Sequence, residues 1–526
     1  MSCKSGNKTV EKNQDAVSAV SGMKKNNLIR GSVIFALCGL FFYVFSRIGI
    51  DQHHDGVMLF PAVKVARGAV VFRDVFCQYG LFVPLMQGAA VALFGAELMV
   101  IRILTVLFYA GTAVVMDCCW RRFLPRGLSW LVPVMFCLFA SCTMVTFHSW
   151  NSVYALFFMM LTGYFAIRHL ESPESSLKWL VFAGISAGLT WGCRTPCGIV
   201  TVFALILVFC GLNFFTGKAK KLIRQEILAL AVGILSVAVL GLGYILLTGA
   251  WDDFVRQSVG FVSGFVYERG DNGNWKYLSE SLFPFYQEEF WFAHTFFAIL
   301  PLAAMVILYF SCRRGFLAGA MREELPLAML LILALGSWHQ YYPVPCVRHL
   351  YWGGAPMFGA YLLAISKLYQ MKSVKTYVLI GILILIALLG AAPRIYGICR
   401  RVEFSRRSVS EVPGIRGIRL NGYESKVSEF VRQTGELPEN IRRRGVLNWS
   451  EDSLLTLLTD QCDIKDVQFY RFETSQYPGY DYRMLEYILE KRPVVLTDHP
   501  VKIPGYKVFS YTDFASKNYM LLIPVQ

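Results

Sequence analysis

Residues 49–80 read GIDQHHDGVMLFPAVKVARGAVVFRDVFCQYG. Asp51, His53, His54 and Asp55 stand within five positions, and Arg73-Asp74 follows closely. A carboxylate can take a proton from a nucleophile when it is held within hydrogen-bond reach of it. Histidine can orient such an acid, bind a phosphate or ligate a metal. Helical zinc motifs place their His pair at i, i+4 so that both face one way. His53 and His54 are adjacent and diverge on most backbones. No metal ligand is therefore assigned, and no cofactor is expected; a divalent ion is the weaker reading of the cluster.

The depth of these residues matters as much as their type. Asp55 lies five residues past a long apolar run, which sets it at head-group level. VMLFPAVKVARG then spaces apolar residues as in a helix, with Lys64 and Arg67 interleaved, and fits a helix lying in the interface. VFRDVFCQYG brings Arg73 and Asp74 back to the membrane surface. Two carboxylates at that depth suit chemistry on a lipid-linked substrate, whose phosphate and sugar sit there.

Other polar residues interrupt apolar sequence further on. GLTWGCRTPCGI sets Arg194 between two apolar runs, where it can grip a lipid phosphate or snorkel to the interface. SWHQYYPVPCVRHLYWGG packs Trp338, Tyr342, Arg348 and His349 into one short segment. Interfacial aromatic belts account for the Trp and Tyr but not for the adjacent Arg348-His349. Aromatic faces beside a cationic pair suit a sugar ring next to a phosphate. His148, in FHSWNS, reads as structural, and Arg102 as a packing or snorkelling residue. No Ser-His-Asp order, HExxH or Walker loop is present.

The elements that position these residues are membrane helices. The chain has 526 residues, 55% hydrophobic and 17% charged, with mean hydropathy +0.46. Soluble proteins carry nearer a quarter charged residues. Apolar runs of about 20 residues recur. Eleven spans are expected, near 31–50, 97–116, 127–145, 151–167, 178–193, 196–214, 227–248, 291–310, 325–338, 351–366 and 376–392. The run 81–95 is short for a span and suits an interfacial or re-entrant helix. With that run not crossing and the N-terminus cytoplasmic, most loop Lys and Arg fall on the inner side, as the positive-inside rule requires. Residues 51–96 form the first outer loop. The net charge of +15 is then orientation charge, and nucleic acid is not an expected partner. The 14 Cys lie mostly in apolar runs and form no CxxC, so neither a zinc knuckle nor a disulfide framework is indicated.

Three regions follow: a disordered cytoplasmic tail, 1–30; a transmembrane module, 31–392; and an outer soluble domain, 393–526. In the last, ESKVSEFVRQTG and DYRMLEYILEKR read as helices, and GVLNW, VQFYRF, PVVLTD and YMLLIP as short strands. Their alternation predicts a small α/β domain. The fold expected is an α-helical polytopic membrane protein with this domain at its C-terminus.

From the first span to about residue 110 the chain resembles bacterial members of the protein-O-mannosyltransferase-like enzymes (glycosyltransferase family 39, GT-C fold). The matching residues are His54-Asp55-Gly56, Gly68, Phe72-Arg73-Asp74, Phe94-Gly95 and Arg102-Ile103. The family's acidic pair is His54-Asp55 here, which leaves one acid, and its paired prolines are Tyr79-Gly80. The resemblance implies a plasma-membrane glycosyltransferase with a polyprenyl-phosphate sugar donor. It implies transfer at the outer face, with inversion, to a lipid, glycan or protein acceptor. On that reading Asp55 is the general base, with Asp74 the second candidate. Asp51, His53 and His54 handle or orient the acceptor. Arg194, Arg348, His349 and Arg73 are candidates for the donor phosphate, and Tyr342 and Trp338 for stacking on the sugar. The alternative is a polyprenyl-lipid flippase or transporter. Transporters place ionisable residues near the midplane on broken helices, and these spans are nearly free of midplane charge.

Overall fold

The structure is a computed structural model that describes residues 6–525 except 78, 172–176, 261–290, 342–345, 421, 451, 459–479 and 515–516. Four helices open it: α1 (Gly6–Ser46), α2 (His54–Ala66), α3 (Phe82–Phe94) and α4 (Leu98–Trp120). The segment 1–30, expected to be disordered, is helical from Gly6 onward. Extending a helix already nucleated by a span costs little when the added residues include Ala, Glu and Lys.

Seven helices among the described residues are long and apolar enough to cross a membrane: Asn26–Ser46, Leu98–Trp120, Asn151–Glu171, Thr195–Thr216, Lys220–Leu247, Phe296–Leu317 and Val374–Phe404. The other four expected spans fall on shorter helices. These are Arg126–Leu138, Lys178–Cys193, Met321–Ser337 and the broken run Val347–Gln370. Leu228, Val232, Leu235, Val239 and Leu246 line one exposed face of Lys220–Leu247. Such a stripe is an aggregation hazard in water and an ordinary outer surface in hydrocarbon.

α1 and α4 run antiparallel, pinned at both ends. Arg30 pairs with Asp117 and donates to Ser129 Oγ (2.9 Å) at one end. Arg102 donates to the Ser46 carbonyl (2.6 Å) at the other. The segment between them therefore leaves and re-enters at one end of the bundle. α2 and α3 have 13 residues each, roughly 20 Å long at 1.5 Å per residue, short of a hydrocarbon core of about 30 Å. Close helix packing elsewhere relies on glycine. Gly184 and Gly233 let helices Lys178–Cys193 and Lys220–Leu247 meet backbone to backbone, and a Cβ at Gly184 would lie 3.0 Å from Gly233 Cα.

The last long helix, Val374–Phe404, runs past residue 392, so the expected boundary at 393 falls inside it. Arg394 is fully buried, and the helix continues through Pro393. Beyond it the chain folds back onto the bundle end. Arg419 N–H donates to the Arg47 carbonyl (2.7 Å), and Leu98 N–H donates to that of Gly414 (2.8 Å).

The C-terminal sheet has order β1-β2-β4-β3, built from β1 (Val446–Trp449), β2 (Val494–Thr497), β3 (Tyr506–Phe514) and β4 (Lys517–Pro524). β1 and β2 are parallel, and β2–β4 and β3–β4 antiparallel. β1 and β2 are buried along their whole length, which accounts for their mainly apolar residues. Val446 and Val494 join the core continuous with the membrane helices. Leu447 and Val495 join Met484 and Ile488 of helix Tyr480–Lys491 on the other face. The expected strand VQFYRF lies outside the described residues. β3 was not expected, since KVFSYTDF carries polar residues throughout.

Candidate active site

Asp55 sits in the first turn of α2, where a helix N-terminus favours negative charge. Its Oδ2 accepts the Asp51 N–H (2.8 Å) and a 2.7 Å ion pair from Arg102 Nη2. Asp55 is 1% exposed and Arg102 0%. The same guanidinium group donates to the Ser46 (2.6 Å) and Gly49 (3.0 Å) carbonyls, so α4 fixes both the end of α1 and the acid. Asp55 Oδ1 has no hydrogen-bond partner among the described residues. Burial lifts the Asp55 carboxyl to about 6, against the downward pull of Arg102.

Asp51 occupies the opposite environment four residues earlier. Its Oδ1 accepts the His54 N–H (3.0 Å), which closes the turn into α2. Its Oδ2 meets His54 Nδ1 (3.0 Å), His148 Nε2 (2.9 Å) and Arg348 Nη2 (3.0 Å). Arg348 Nη1 lies 3.2 Å from His54 Nε2. A neutral His54 with its proton on Nδ1 satisfies both neighbours. Burial opposes the charge on Asp51, but the hydrogen bonds from His148 and His54 prevail and hold its carboxyl far below the usual range. Burial also lowers the pKa of both imidazoles, which leaves Arg348 as the resident cation.

From His54 a chain of rings leads to a second cation. His54 packs edge-on against Trp150 (5.2 Å), and Trp150 against Tyr79 (5.2 Å). The Arg194 guanidinium lies 5.7 Å from the Tyr79 ring centroid. Arg194 also donates to Ser152 and, at 3.4 Å, to Gln340 Oε1. Gly80 permits this approach, because a Cβ there would strike the Gly192 carbonyl beside the Arg194 turn. Trp150 Nε1, Arg194 Nε and Arg348 Nε are buried donors with no partner among the described residues. Three idle donors along one aromatic path suit a ligand rich in oxygen acceptors.

The structure thus gathers Asp51, His54, Asp55, Arg348 and, through the rings, Arg194. His53 stands edge-on to His54 at 4.9 Å. Arg73 and Asp74 form a separate pair. Arg73 binds both Asp74 oxygens (3.1 and 3.0 Å) and the Thr248 carbonyl (2.9 Å), and Val70 N–H donates to Asp74 (2.9 Å). His349 packs on Trp352 (5.4 Å) and Trp338 on Tyr341 (5.5 Å). Tyr342 lies outside the described residues.

Three participants escaped the sequence reading. Arg102 is a buried partner of Asp55 rather than a packing or snorkelling residue, because α1 and α4 bring positions 55 and 102 together. His148 grips Asp51 across 97 positions. Trp150 carries the ring path. Among the described residues, Asp51, His54 and His148 bring possible ligand atoms within 4.8 Å of one another. Arg348 also pairs with the shared Asp51 oxygen.

No family model matches the sequence, and no curated protein matches it. The fold is similar to that of ArnT from Cupriavidus metallidurans. The crystal structure of that protein bound to undecaprenyl phosphate aligns with a TM-score of 0.53 at 13% identity, over 93% of this chain and 97% of ArnT. Its apo-state structure aligns with a TM-score of 0.52 at 13% identity, over 96% and 98%. The fold class expected from the sequence, GT-C-like with a small C-terminal α/β unit, is the one observed.

Proposed function

We propose that this protein is a plasma-membrane glycosyltransferase. It moves a sugar from a polyprenyl-phosphate donor to an envelope glycolipid, polysaccharide or protein at the outer face. The observation that carries this reading is the split environment of Asp51 and Asp55. Two neighbouring carboxylates pushed apart in pKa are a signature of distinct acid–base roles. Asp55, raised to about 6 mainly by burial, is the base. Asp51, locked by two His and Arg348, is the permanently ionised group that orients them.

In this mechanism the acceptor hydroxyl gives its proton to Asp55 Oδ1, the oxygen left without a partner. Its oxygen forms a bond to the anomeric carbon as the bond to the lipid phosphate breaks. A single displacement of this kind inverts the anomeric centre. Charge growing on the phosphate is met by Arg194 and Arg348, whose Nε atoms are unengaged. Trp338 and Tyr342 remain the candidates for stacking on the sugar. Arg73 and His349 remain candidates for the donor phosphate, and Asp74 for the second base or for orienting the acceptor. The shared fold with ArnT, seen bound to undecaprenyl phosphate, supports a polyprenyl-phosphate partner, and the residues from His54 to Ile103 support a family 39 kinship.

The test is transfer by the purified protein from a polyprenyl-phosphate sugar. Asp55→Asn should lower kcat by at least about 100-fold, as loss of a general base does, with normal membrane insertion. Full activity of that variant would sink the assignment.

A further inference from the structure

The C-terminal unit touches the first loop at the residues that flank Asp55. β1 ends at Trp449, and the segment that follows its carboxyl end meets this loop. Ser453 opens helix Ser453–Leu458, and its hydroxyl donates to the His53 carbonyl at 2.8 Å. Lys426 Nζ reaches Gln52 Oε1 at 3.2 Å. Lys426 also pairs with Asp452, which is 0% exposed and accepts the Tyr423 hydroxyl at 2.9 Å. Asp452 Oδ1 in turn accepts the Leu455 N–H (3.1 Å). The cation that touches the loop is thus anchored in the unit's own buried network. Gly56 completes the fit: a Cβ there would lie 2.6 Å from both Leu454 N and Ser453 C, where backbone cannot yield.

We infer that Ser453 and Lys426 are positioning residues of the active site, holding the Gln52–Gly56 turn so that Asp51 and Asp55 keep their places. The soluble unit is then a working part of the reaction centre. Its two tethers grip the turn between the two acids, and the close approach at Gly56 sets the distance. This inference rests on the proposed transferase reading for its kinetic arm alone.

The test uses the full-length protein and removes both tethers by Gln52→Leu with Ser453→Ala, which leaves the Lys426–Asp452 pair intact. Each lost hydrogen bond is worth about 1 kcal/mol, or about fivefold. The expected result is a fall in kcat of about 5- to 25-fold, with donor KM held within about twofold. Hydrogen exchange supplies an arm independent of activity. The Asp55 and Val57 amides, bonded to Asp51 O and His53 O, should exchange faster in the double variant. Native kcat in that variant, or unchanged exchange at those amides, overturns the inference. If the native protein transfers no sugar, the proposed function fails, and the exchange result alone decides this one.

Discussion

Asp51 and Asp55 differ by four positions and by the company they keep. One carboxylate is spread over two imidazoles and a guanidinium group; the other is buried against a single arginine with one oxygen idle. Asp55 must be ionised to accept a proton. Burial raises its pKa to about 6, so kcat/KM should climb with pH through about 6 and level off above it. An acid limb near about 4, the ordinary carboxylate value, would contradict the assignment. Replacing Arg102 by Leu removes the one cation opposing that rise. The limb should then move to higher pH, and thermal unfolding should show a loss of about 3–5 kcal/mol, as expected when a buried pair loses one partner. The acids themselves were legible in the sequence, because ionisable residues beside an apolar run stand out. Their partners were not. His148, Trp150 and Arg102 sit in stretches that read as span ends, and only the packing of distant helices reveals what they touch.

At the scale of elements, the first loop is held by two short helices, α2 and α3. The antiparallel α1–α4 pair returns the chain to the end it left, and α2 and α3 fill the interval. Length and hydropathy anticipated a short helix in the run 81–95, and one spans Phe82–Phe94. The ends of helices were harder to read. The last span was expected to end at 392, yet its helix continues to Phe404, since an arginine such as Arg394 can be buried against neighbouring helices instead of lipid. Glycine contacts between helices were equally silent in the sequence. Gly184→Leu should overpack the contact with Lys220–Leu247 and cost about 1–3 kcal/mol, visible as a lower unfolding temperature in detergent. Gly243→Ala, where an added Cβ meets nothing within 4 Å, should leave that temperature level or raise it slightly.

For the whole molecule, the account places the catalytic loop and the C-terminal unit together on the outer side. The shared end is a feature of the structure, because Arg47, Gly49, Gln52 and His53 all contact the tail. The side is argued from loop charge. Protease added to intact spheroplasts should therefore cleave within 405–526, and protection there with cleavage only in inverted vesicles would reverse the topology.

The central claim is that Asp55 serves sugar transfer to an envelope acceptor. Mass spectrometry of envelope glycolipids and glycoproteins should be compared between cells carrying the native chain, none, and the Asp55→Asn variant at equal membrane abundance. The account predicts that one sugar disappears from the same acceptor in the second and third samples. An acceptor fully modified in the Asp55→Asn cells, or identical glycan profiles in all three, would contradict it.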